Sequence, residues 1–380
     1  MSVTPVRTAL IGLSASAVTA WAADAHLPAL QSPSGQALIQ ITALCNSSVA
    51  AAESAIRTYH LDPATVKAYG SPDDLAADPT VDLVICTTRV DKHYETVLAS
   101  VRAGKSVYIE WPISSTVAEV EELLSVARAS GASVAVGLQA RFAPPVLKVK
   151  EILRSGQLGR LLSTEVRGFA GTQARDVLPI GLKYFAQKKV GGNPITIGFG
   201  HMIDSVQSVV GDVIPGTDQV HTQIQHTKVP VLDPQSGTIV ETVDSDVPDL
   251  LGLHGSLPES PYTVPGASLM AYFARSQTYP GDPLLSWTLS CELGTIRLVA
   301  PAGVSLHDPS TTISVHHRAT DKVDEIEWTW SKEQFEVPEK ARSVQRSLIN
   351  FAARVPEGYV SLEDAAVRAR QIARWLDGTQ

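Results

Sequence analysis

The sequence has little of several residue types, and each shortage excludes a class of protein. Three cysteines in 380 residues, Cys45, Cys86 and Cys291, are too few and too far apart for a disulfide framework or a four-cysteine zinc site. No apolar run approaches the roughly 20 residues of a membrane-spanning helix. Basic side chains number 31 against 39 acidic ones, and the lack of a Lys/Arg block argues against direct nucleic-acid binding. Paired metal motifs such as HExxH are missing, so no metal site is predicted.

The remaining composition is that of a globular protein in a reducing compartment. Hydrophobic residues make up 44% of the chain, and 380 residues suffice for two domains that each bury a core. Free cysteines favour a cytoplasmic location. The apolar run after Arg7, with Ala23-Asp24-Ala25 behind it, is similar to a signal peptide. The alternative is a first strand over 6–11 that stops at Gly12. It is favoured because the following chain repeats a strand–helix alternation.

The first 144 residues alternate short apolar strands with helices. Such alternation predicts parallel βαβ units, in which helices cover both faces of one sheet. Beyond Pro144-Pro145 the segments become longer and rich in Thr, Val and aromatic residues, which favours an antiparallel sheet. We therefore predict an α/β domain over 1–144 and an α+β domain over 145–380. The predicted strands cover 6–11, 37–44, 81–86, 106–110, 132–138, 161–169, 219–225, 268–275, 285–292, 295–299, 311–318 and 325–330.

Two parts of the second domain have a distinct composition. Residues 236–265 are rich in Asp, Pro, Ser and Gly, which predicts a mobile insertion. Helical periodicity returns over 339–353 and 362–375. We expect these C-terminal helices to pack back on the first domain.

A candidate cofactor motif follows the first predicted strand. Gly12, Ser14 and Ala17 stand where a dinucleotide fingerprint G-x-G-x-x-G/A would place its three small residues. Glycine permits the tight turn, and small residues let the backbone approach a pyrophosphate and let the helix pack closely. Serine replaces the middle glycine, so an ordinary strand–helix turn remains the alternative reading.

The end of the second strand bears on the choice of cofactor. A carboxylate there would bind the ribose 2′-hydroxyl of NAD and repel the 2′-phosphate of NADP. This strand instead runs into Asn46 and Ser47, with neither a carboxylate nor an arginine. The missing carboxylate favours NADP, and the missing arginine leaves the prediction as NADP or NAD.

Six short segments follow one another in a characteristic order. They are Val81-Asp82-Leu83-Val84-Ile85, Thr87-Thr88 with His93, Arg102-Ala103-Gly104-Lys105, Glu110-Trp111-Pro112, Gln139-Ala140-Arg141-Phe142 and Gly200-His201-Met202-Ile203-Asp204. This ordered set resembles the Gfo/Idh/MocA oxidoreductases. The resemblance implies a Rossmann domain followed by a domain with a large, mostly antiparallel open sheet that serves substrate binding and self-association. It implies cofactor contacts from Gly12, Ser14, Ala17, Asn46, Ser47, Thr87, Thr88, His93, Glu110, Trp111, Pro112 and Gln139.

Two positions depart from the pattern of active dehydrogenases in that family. The lysine of its EKP motif is Trp111 here, and the aspartate four residues before its histidine is Ile197. Neither side chain can take the proton of a substrate hydroxyl. His201 remains, and Lys183 and Tyr184 are further candidates for that role. A structural histidine, a solvated lysine and a core tyrosine are the alternative readings.

These departures resemble a fungal branch of the family that is similar to galactose-regulon repressors. In that branch the fold binds a dinucleotide and holds a transcriptional activator. Three functions remain open: an NAD(P)-dependent oxidoreductase of a small alcohol or carbonyl compound in fungal specialised or sugar metabolism, a non-catalytic dinucleotide-binding regulator, or a cofactor-assisted isomerase or lyase. The first is favoured. We expect a small-molecule substrate and a homodimer or larger homo-oligomer through the C-terminal sheet. A regulator would add a protein partner and a nuclear location.

Overall fold

The computed structural model describes residues 4–15, 19–169, 177–276, 278–304, 306 and 308–378. The chain divides into two compact units. The first draws its described residues from 1–139, 189–192 and 331–370, and the second from 140–188, 193–330 and 371–380. No described helix combines the length and the apolar content that crossing a membrane requires.

The elements are numbered in chain order. The strands are β1 (Val6–Ile11), β2 (Ile39–Cys45), β3 (Lys67–Tyr69), β4 (Leu83–Cys86), β5 (Ser106–Glu110), β6 (Val134–Gly137), β7 (Leu161–Phe169), β8 (Leu178–Pro179), β9 (Gln219–Gln223), β10 (Lys228–Asp233), β11 (Thr238–Asp244), β12 (Leu250–Ser256), β13 (Thr263–Ala274), β14 (Leu285–Cys291), β15 (Gly294–Ala300), β16 (Thr312–His317), β17 (Lys322–Glu325) and β18 (Val360–Ser361). The α-helices are α1 (Leu27–Gln31), α2 (Pro33–Gln36), α3 (Val49–Thr58), α4 (Pro72–Ala77), α5 (Val90–Arg102), α6 (Val117–Ser130), α7 (Pro144–Ser155), α8 (Gly200–Val210), α9 (Glu339–Ala352) and α10 (Leu362–Asp377).

The first unit contains a twisted parallel sheet in the order β18-β6-β5-β4-β1-β2-β3. Each pairing is parallel except that of β18 with β6. The chain leaves β1 toward β2 and β3, then crosses back to place β4 on the other side of β1. The carboxyl ends of β1 and β4 therefore form a topological switch point, where open α/β sheets bind their ligands.

Helix α9 completes the core of the first unit from the far end of the chain. Its apolar residues Ala341, Val344, Leu348 and Phe351 are buried in one cluster with side chains of β1, β2 and the first helices. A π-helix over Ala22–His26 leads into α1 and contacts α9. The π-helix and α1 together form a helical segment from Ala22 to Gln31, in two consecutive parts.

The second unit is built on an eight-stranded sheet in the order β17-β16-β15-β14-β7-β13-β12-β9. Its pairings are antiparallel except that of β7 with β13. Burial alternates along β14, because Leu285, Trp287, Leu289 and Cys291 face the core. A Rossmann-type sheet followed by a large, mostly antiparallel sheet confirms the predicted fold class.

The structure adds strands to one segment of the second unit and corrects the bounds of another. The segment 236–265, predicted as a mobile insertion, carries β11, β12 and the start of β13. Its Asp, Pro and Gly residues mark the turns between these strands. The strand expected over 325–330 is instead β17, which ends at Glu325. Beyond it, the Trp328 indole donates to the Thr311 carbonyl, 2.8 Å away, and packs edge-on against Trp330.

All three cysteines lie buried as free thiols, which allows a direct chemical test. Burial raises the pKa of Cys45 and of Cys291 to about 11 and also raises the pKa of Cys86. With a pKa three units above the pH, about one thiol in a thousand is ionised. We expect the folded protein to resist iodoacetamide at pH 8 and all three thiols to react in urea. Fast labelling of the native protein would contradict this arrangement.

Candidate functional site

The turn after β1 is shaped for a close approach of the backbone. Gly12 has a φ of 97°, in the left-handed range, and its N–H donates to the Cys45 carbonyl at 3.1 Å. A Cβ built at Gly12 would lie 3.0 Å from both the backbone nitrogen and the Cγ2 of Thr88. Glycine therefore lets the turn pack directly on the loop after β4. Ser14 lies in the described part of this turn, and Ala17 lies outside the described residues.

Asn46 ties the loop after β2 to this turn. Its side-chain amide donates to the Leu13 carbonyl at 2.9 Å, and its backbone N–H donates to the Tyr69 carbonyl at 3.1 Å. Ser47 follows as an exposed residue. Both lie at the carboxyl end of β2, where a dinucleotide's ribose binds in this fold. Their contact with a cofactor stays a prediction.

His93 connects the loops that follow β4 and β5. Its Nε2 lies 2.8 Å from the Thr88 carbonyl oxygen and its Nδ1 lies 2.8 Å from that of Pro112. A neutral imidazole can donate to one of these acceptors, and both bonds form when both nitrogens are protonated. Burial lowers the pKa of His93, while the two carbonyls and the Glu110 carboxylate act to raise it. Thr87 fixes the same loop by donating from N and Oγ1 to the Ile11 carbonyl, at 3.0 and 2.8 Å.

Glu110, at the end of β5, is held by a histidine that the sequence reasoning did not assign to the site. Its Oε1 lies 2.6 Å from Nε2 of His26, which is fully buried in the π-helix before α1. Gly137 of β6 makes room for the carboxylate, because a Cβ there would lie 2.8 Å from Oε2. Glu110 and His26 are 84 positions apart in the sequence. The available signal was a lone histidine among the apolar residues of the first helix.

Trp111 and Gln139 complete the carboxyl edge of the sheet. Trp111 is buried and joined to Pro112 by a cis peptide bond. Gln139 follows β6, and its buried Oε1 has no hydrogen-bond partner among the described residues. A buried acceptor without a donor is costly. A ligand hydroxyl or amide would satisfy it.

These observations test whether a dinucleotide fits the first unit. The Gly12 turn follows the carboxyl end of β1, where this fold binds a pyrophosphate, and Gln139 provides an unsatisfied acceptor at the same edge of the sheet. The residues present therefore fit the group. The residues that would hold it are Gly12, Ser14, Asn46, Ser47, Thr87, Thr88, Trp111 and Gln139.

In the second unit, α8 carries His201. Met202, Ile203 and Val206 are buried, and Met202 packs over Gly168 of β7, so this side of the helix docks on the sheet. His201 is half-buried. It lies outside this apolar stripe, as a side chain that works on a substrate would have to.

One turn beyond His201, an ion pair anchors α8. Asp204 is 1% exposed and accepts two hydrogen bonds from Arg141, at 2.9 Å from Nε and 2.5 Å from Nη2. Arg141 lies in the 3-10 helix Gln139–Phe142. Both residues belong to separate sequence motifs, and nothing in those motifs indicates that they pair. The available signal was one basic residue, Arg141, in one largely apolar segment and one acidic residue, Asp204, in another.

Lys183 and Tyr184 lie in the 3-10 helix Ile180–Ala186. The Lys183 ammonium is ion-paired with Glu241 of β11, with Nζ 2.8 and 2.7 Å from the two carboxylate oxygens. The Tyr184 ring packs edge-on against Phe185. Ile197 lies in a π-helix, Ile195–Phe199, that leads into α8. The catalytic roles of His201, Lys183 and Tyr184 stay predictions.

Replacing Gly12 with alanine is expected to weaken coenzyme affinity about tenfold, which corresponds to about 1.4 kcal/mol. The added Cβ would strain the left-handed turn and push the Thr88 backbone away. Calorimetric titration with NADPH and NADH measures the effect. Gly131→Ala is the matched control, because Gly131 has a φ of 71° but a Cβ there meets nothing described within 4 Å. Equal affinities in both variants would mean that the Gly12 turn does not contact the coenzyme.

The fold and the site define a class: a dinucleotide-binding protein of oxidoreductase architecture with a separate sheet domain. Residues 6–138 match the family described as oxidoreductase, NAD-binding Rossmann fold, and residues 144–299 match the Gal80p C-terminal domain. The chain belongs to the Gfo/Idh/MocA oxidoreductase family and carries a Gal80-like C-terminal domain. The predicted family and a nicotinamide dinucleotide cofactor are thereby confirmed.

Relatives of known name include both an enzyme and a regulator. The dehydrogenase aclE of Aspergillus oryzae is 35% identical over 269 residues, which cover 69% of this chain and 68% of that protein. The galactose/lactose metabolism regulatory protein GAL80 of Saccharomyces cerevisiae is 26% identical over 260 residues, covering 67% of this chain and 58% of that protein. A super-repressor mutant of Gal80p from the same yeast superposes with a TM-score of 0.83 at 21% identity, covering 97% of this chain and 94% of that chain. The structural likeness shows the shared fold.

Proposed function

We propose that this protein is an NAD(P)-dependent oxidoreductase that acts on a small alcohol or carbonyl compound. The observation that carries the proposal is the formed carboxyl edge of the Rossmann sheet. There the Gly12 turn packs directly on the loop after β4, and Oε1 of Gln139 is a buried acceptor without a described hydrogen-bond partner. The likeness to a protein named as a dehydrogenase, at 35% identity, supports the same function.

Under this proposal the chain's own residues position the coenzyme and move one proton. Bound nicotinamide supplies hydride exchange with the substrate carbon. His201 accepts the proton of a substrate hydroxyl during oxidation and returns it during reduction, because imidazole can do both near neutral pH. Lys183 is the weaker candidate, since its ammonium is already paired with Glu241. Trp111, in the place of the family's lysine, provides an apolar wall.

The test uses the full-length protein with both coenzymes. Calorimetry measures the binding of NADP(H) and NAD(H), and nicotinamide absorbance then follows turnover with a panel of sugars and polyketide-like carbonyl compounds. We expect tight binding of at least one coenzyme and steady oxidation or reduction of some panel members. The absence of any binding heat would overturn the proposal. Binding without net coenzyme consumption, together with conversion of a substrate, would point to an isomerase or lyase.

A regulator is the second candidate, and a specific observation favours it. Trp111 and Ile197 occupy the two positions where the family resemblance implies proton-transferring residues, and the C-terminal domain matches that of Gal80p. A regulator would bind the coenzyme, leave every panel compound unchanged and bind a protein partner in a coenzyme-dependent way. The same titration and absorbance assays therefore separate the two candidates.

Self-association through the C-terminal sheet forms part of the proposal. On the outer face of this sheet, Met270 is 55% exposed. The Arg167 guanidinium lies over the rings of Phe169 and Tyr272, 4.9 and 5.6 Å from their centroids. Aromatic rings, arginine and methionine are the residue types enriched in the centre of protein interfaces. This composition supports a homodimer.

A further inference from the structure

A cavity of the first unit lies at the amino-terminal ends of the parallel strands. It measures about 640 Å³ and opens where β1, β4 and β5 begin, beside the end of α9. The Gly12 turn follows the opposite end of β1, six residues after Val6, so the two sites are roughly 20 Å apart by the rise of an extended strand. Small-molecule sites have volumes of roughly 300–1,000 Å³, and the cavity falls within that range.

The floor of the cavity is apolar. Val81, Leu83 and Phe351 line it, and all three are buried. Phe351 packs between two tyrosine rings, with Tyr108 at 6.3 Å and Tyr359 at 4.9 Å between centroids, so its position is fixed by core packing. A rigid apolar floor of this kind suits a flat hydrocarbon ring more than a bare inorganic ion.

The rim of the cavity is cationic and retains unused hydrogen-bond donors. Nε and Nη2 of Arg7 bind the Asp82 carboxylate and Pro79, which neutralises the one acidic side chain of the rim and leaves Nη1 without a described partner. Lys105 donates to the carbonyls of Asp78 and Val81, both at 2.7 Å, and keeps a third N–H.

Arg354 is the third cationic residue that lines the cavity. Its side chain is exposed and lines the cavity, and its guanidinium makes no hydrogen bond or ion pair with any described residue. Its planar guanidinium can bind a carboxylate with two parallel hydrogen bonds. The rim carries three cationic side chains, of Arg7, Lys105 and Arg354, and one carboxylate, of Asp82, which is paired with Arg7. Its net charge is therefore +2, which a bound anion would reduce.

We propose that this cavity is a second ligand site, which binds a small aromatic or alicyclic carboxylate. The ring would lie on the apolar floor, and the carboxylate would face Arg354 and the remaining N–H of Lys105. Burial lowers the pKa of Lys105, so a neighbouring carboxylate would also stabilise its charged form. The proposal does not depend on the oxidoreductase activity, because the site lies at the opposite edge of the sheet.

Benzoate is the probe, and saturation-transfer NMR on the full-length protein with excess NADPH measures its binding. Two further probes separate the contributions of ring and charge. Benzamide keeps the ring without the charge, and inorganic phosphate keeps the charge without the ring. We expect saturable binding of benzoate and at least tenfold weaker binding of benzamide and phosphate. The absence of saturable benzoate binding, or equal binding of phosphate, would overturn the proposal.

Substitutions then place the ligand. Arg354→Asn removes the charge, and asparagine tolerates the left-handed φ of 54° at this position. Loss of one charge-assisted hydrogen bond, about 1.5 kcal/mol or more, should weaken benzoate binding at least tenfold. Ala352→Phe, which fills the cavity and keeps every charge, should have a similar effect. Arg57→Gln on α3 removes the same charge elsewhere and should leave the affinity unchanged. Wild-type affinity in both cavity variants would place benzoate outside this cavity.

Discussion

Replacing His201 with glutamine is expected to lower kcat by about 10²-fold or more, because a positioned general acid–base typically contributes 10²–10⁴-fold. Glutamine keeps polarity and approximate size but cannot exchange a proton near neutral pH. The buried stripe of α8, with Met202 on the sheet, does not involve this side chain. The effect should therefore fall on turnover and leave coenzyme affinity within about twofold.

The measurement pairs steady-state kinetics with calorimetry on the same preparations. His254→Gln is the matched control, because it makes the same chemical change at an exposed position of β12 in the same unit. The pH dependence of kcat adds a second readout, since a general acid–base contributes an ionisation to that profile and H201Q should lack it. Full activity in H201Q would refute the role of His201. A large loss in Lys183→Met would then transfer the role to the residue paired with Glu241.

The local order of the first unit could be predicted from sequence because its signals are local. Each buried strand, such as Val6–Ile11, is a short apolar run stopped by glycine or polar residues, and α6 begins with a capping box at Thr116 and Glu119. The expected return of the C-terminal helices to the first domain left their partners open, and the packing of α9 and the pairing of β18 with β6 required tertiary information. A helix with one apolar face indicates that it is buried but not which side chains it packs against.

The same limit applies to the candidate site. The Gly12 turn was predictable, since the chemistry of a strand that ends in glycine is contained in a few consecutive residues. The pairs His26–Glu110 and Arg141–Asp204 were not, because the partners lie 84 and 63 residues apart and meet through packing. The β11 strand was also missed. Its Ile239 and Val240 are exposed, so the alternation of buried and exposed residues that usually indicates a strand is absent. The pairing with β10 holds this segment as a strand.

Breaking the Arg141–Asp204 ion pair gives the largest expected change in stability. Asp204→Ala should lower the free energy of unfolding by about 3–5 kcal/mol, the cost of breaking a buried ion pair on one side. Asp204 is 1% exposed and Arg141 18%, so the guanidinium would lose its two-bond acceptor where little water can replace it. Urea denaturation followed by circular dichroism measures the change. Glu151→Ala is the control, since its pair with Lys148 is exposed and should contribute about 0.5 kcal/mol or less.

A double variant separates the cost of an uncompensated charge from a general loss of packing. Arg141→Met with Asp204→Leu replaces both charges by apolar groups of similar volume, and buried pairs exchanged in this way often retain their stability. We expect it to recover most of what Asp204→Ala loses. If the double variant were as unstable as the single one, the pair would act through its specific geometry. In that case α8, and with it His201, would owe its position to the two hydrogen bonds themselves.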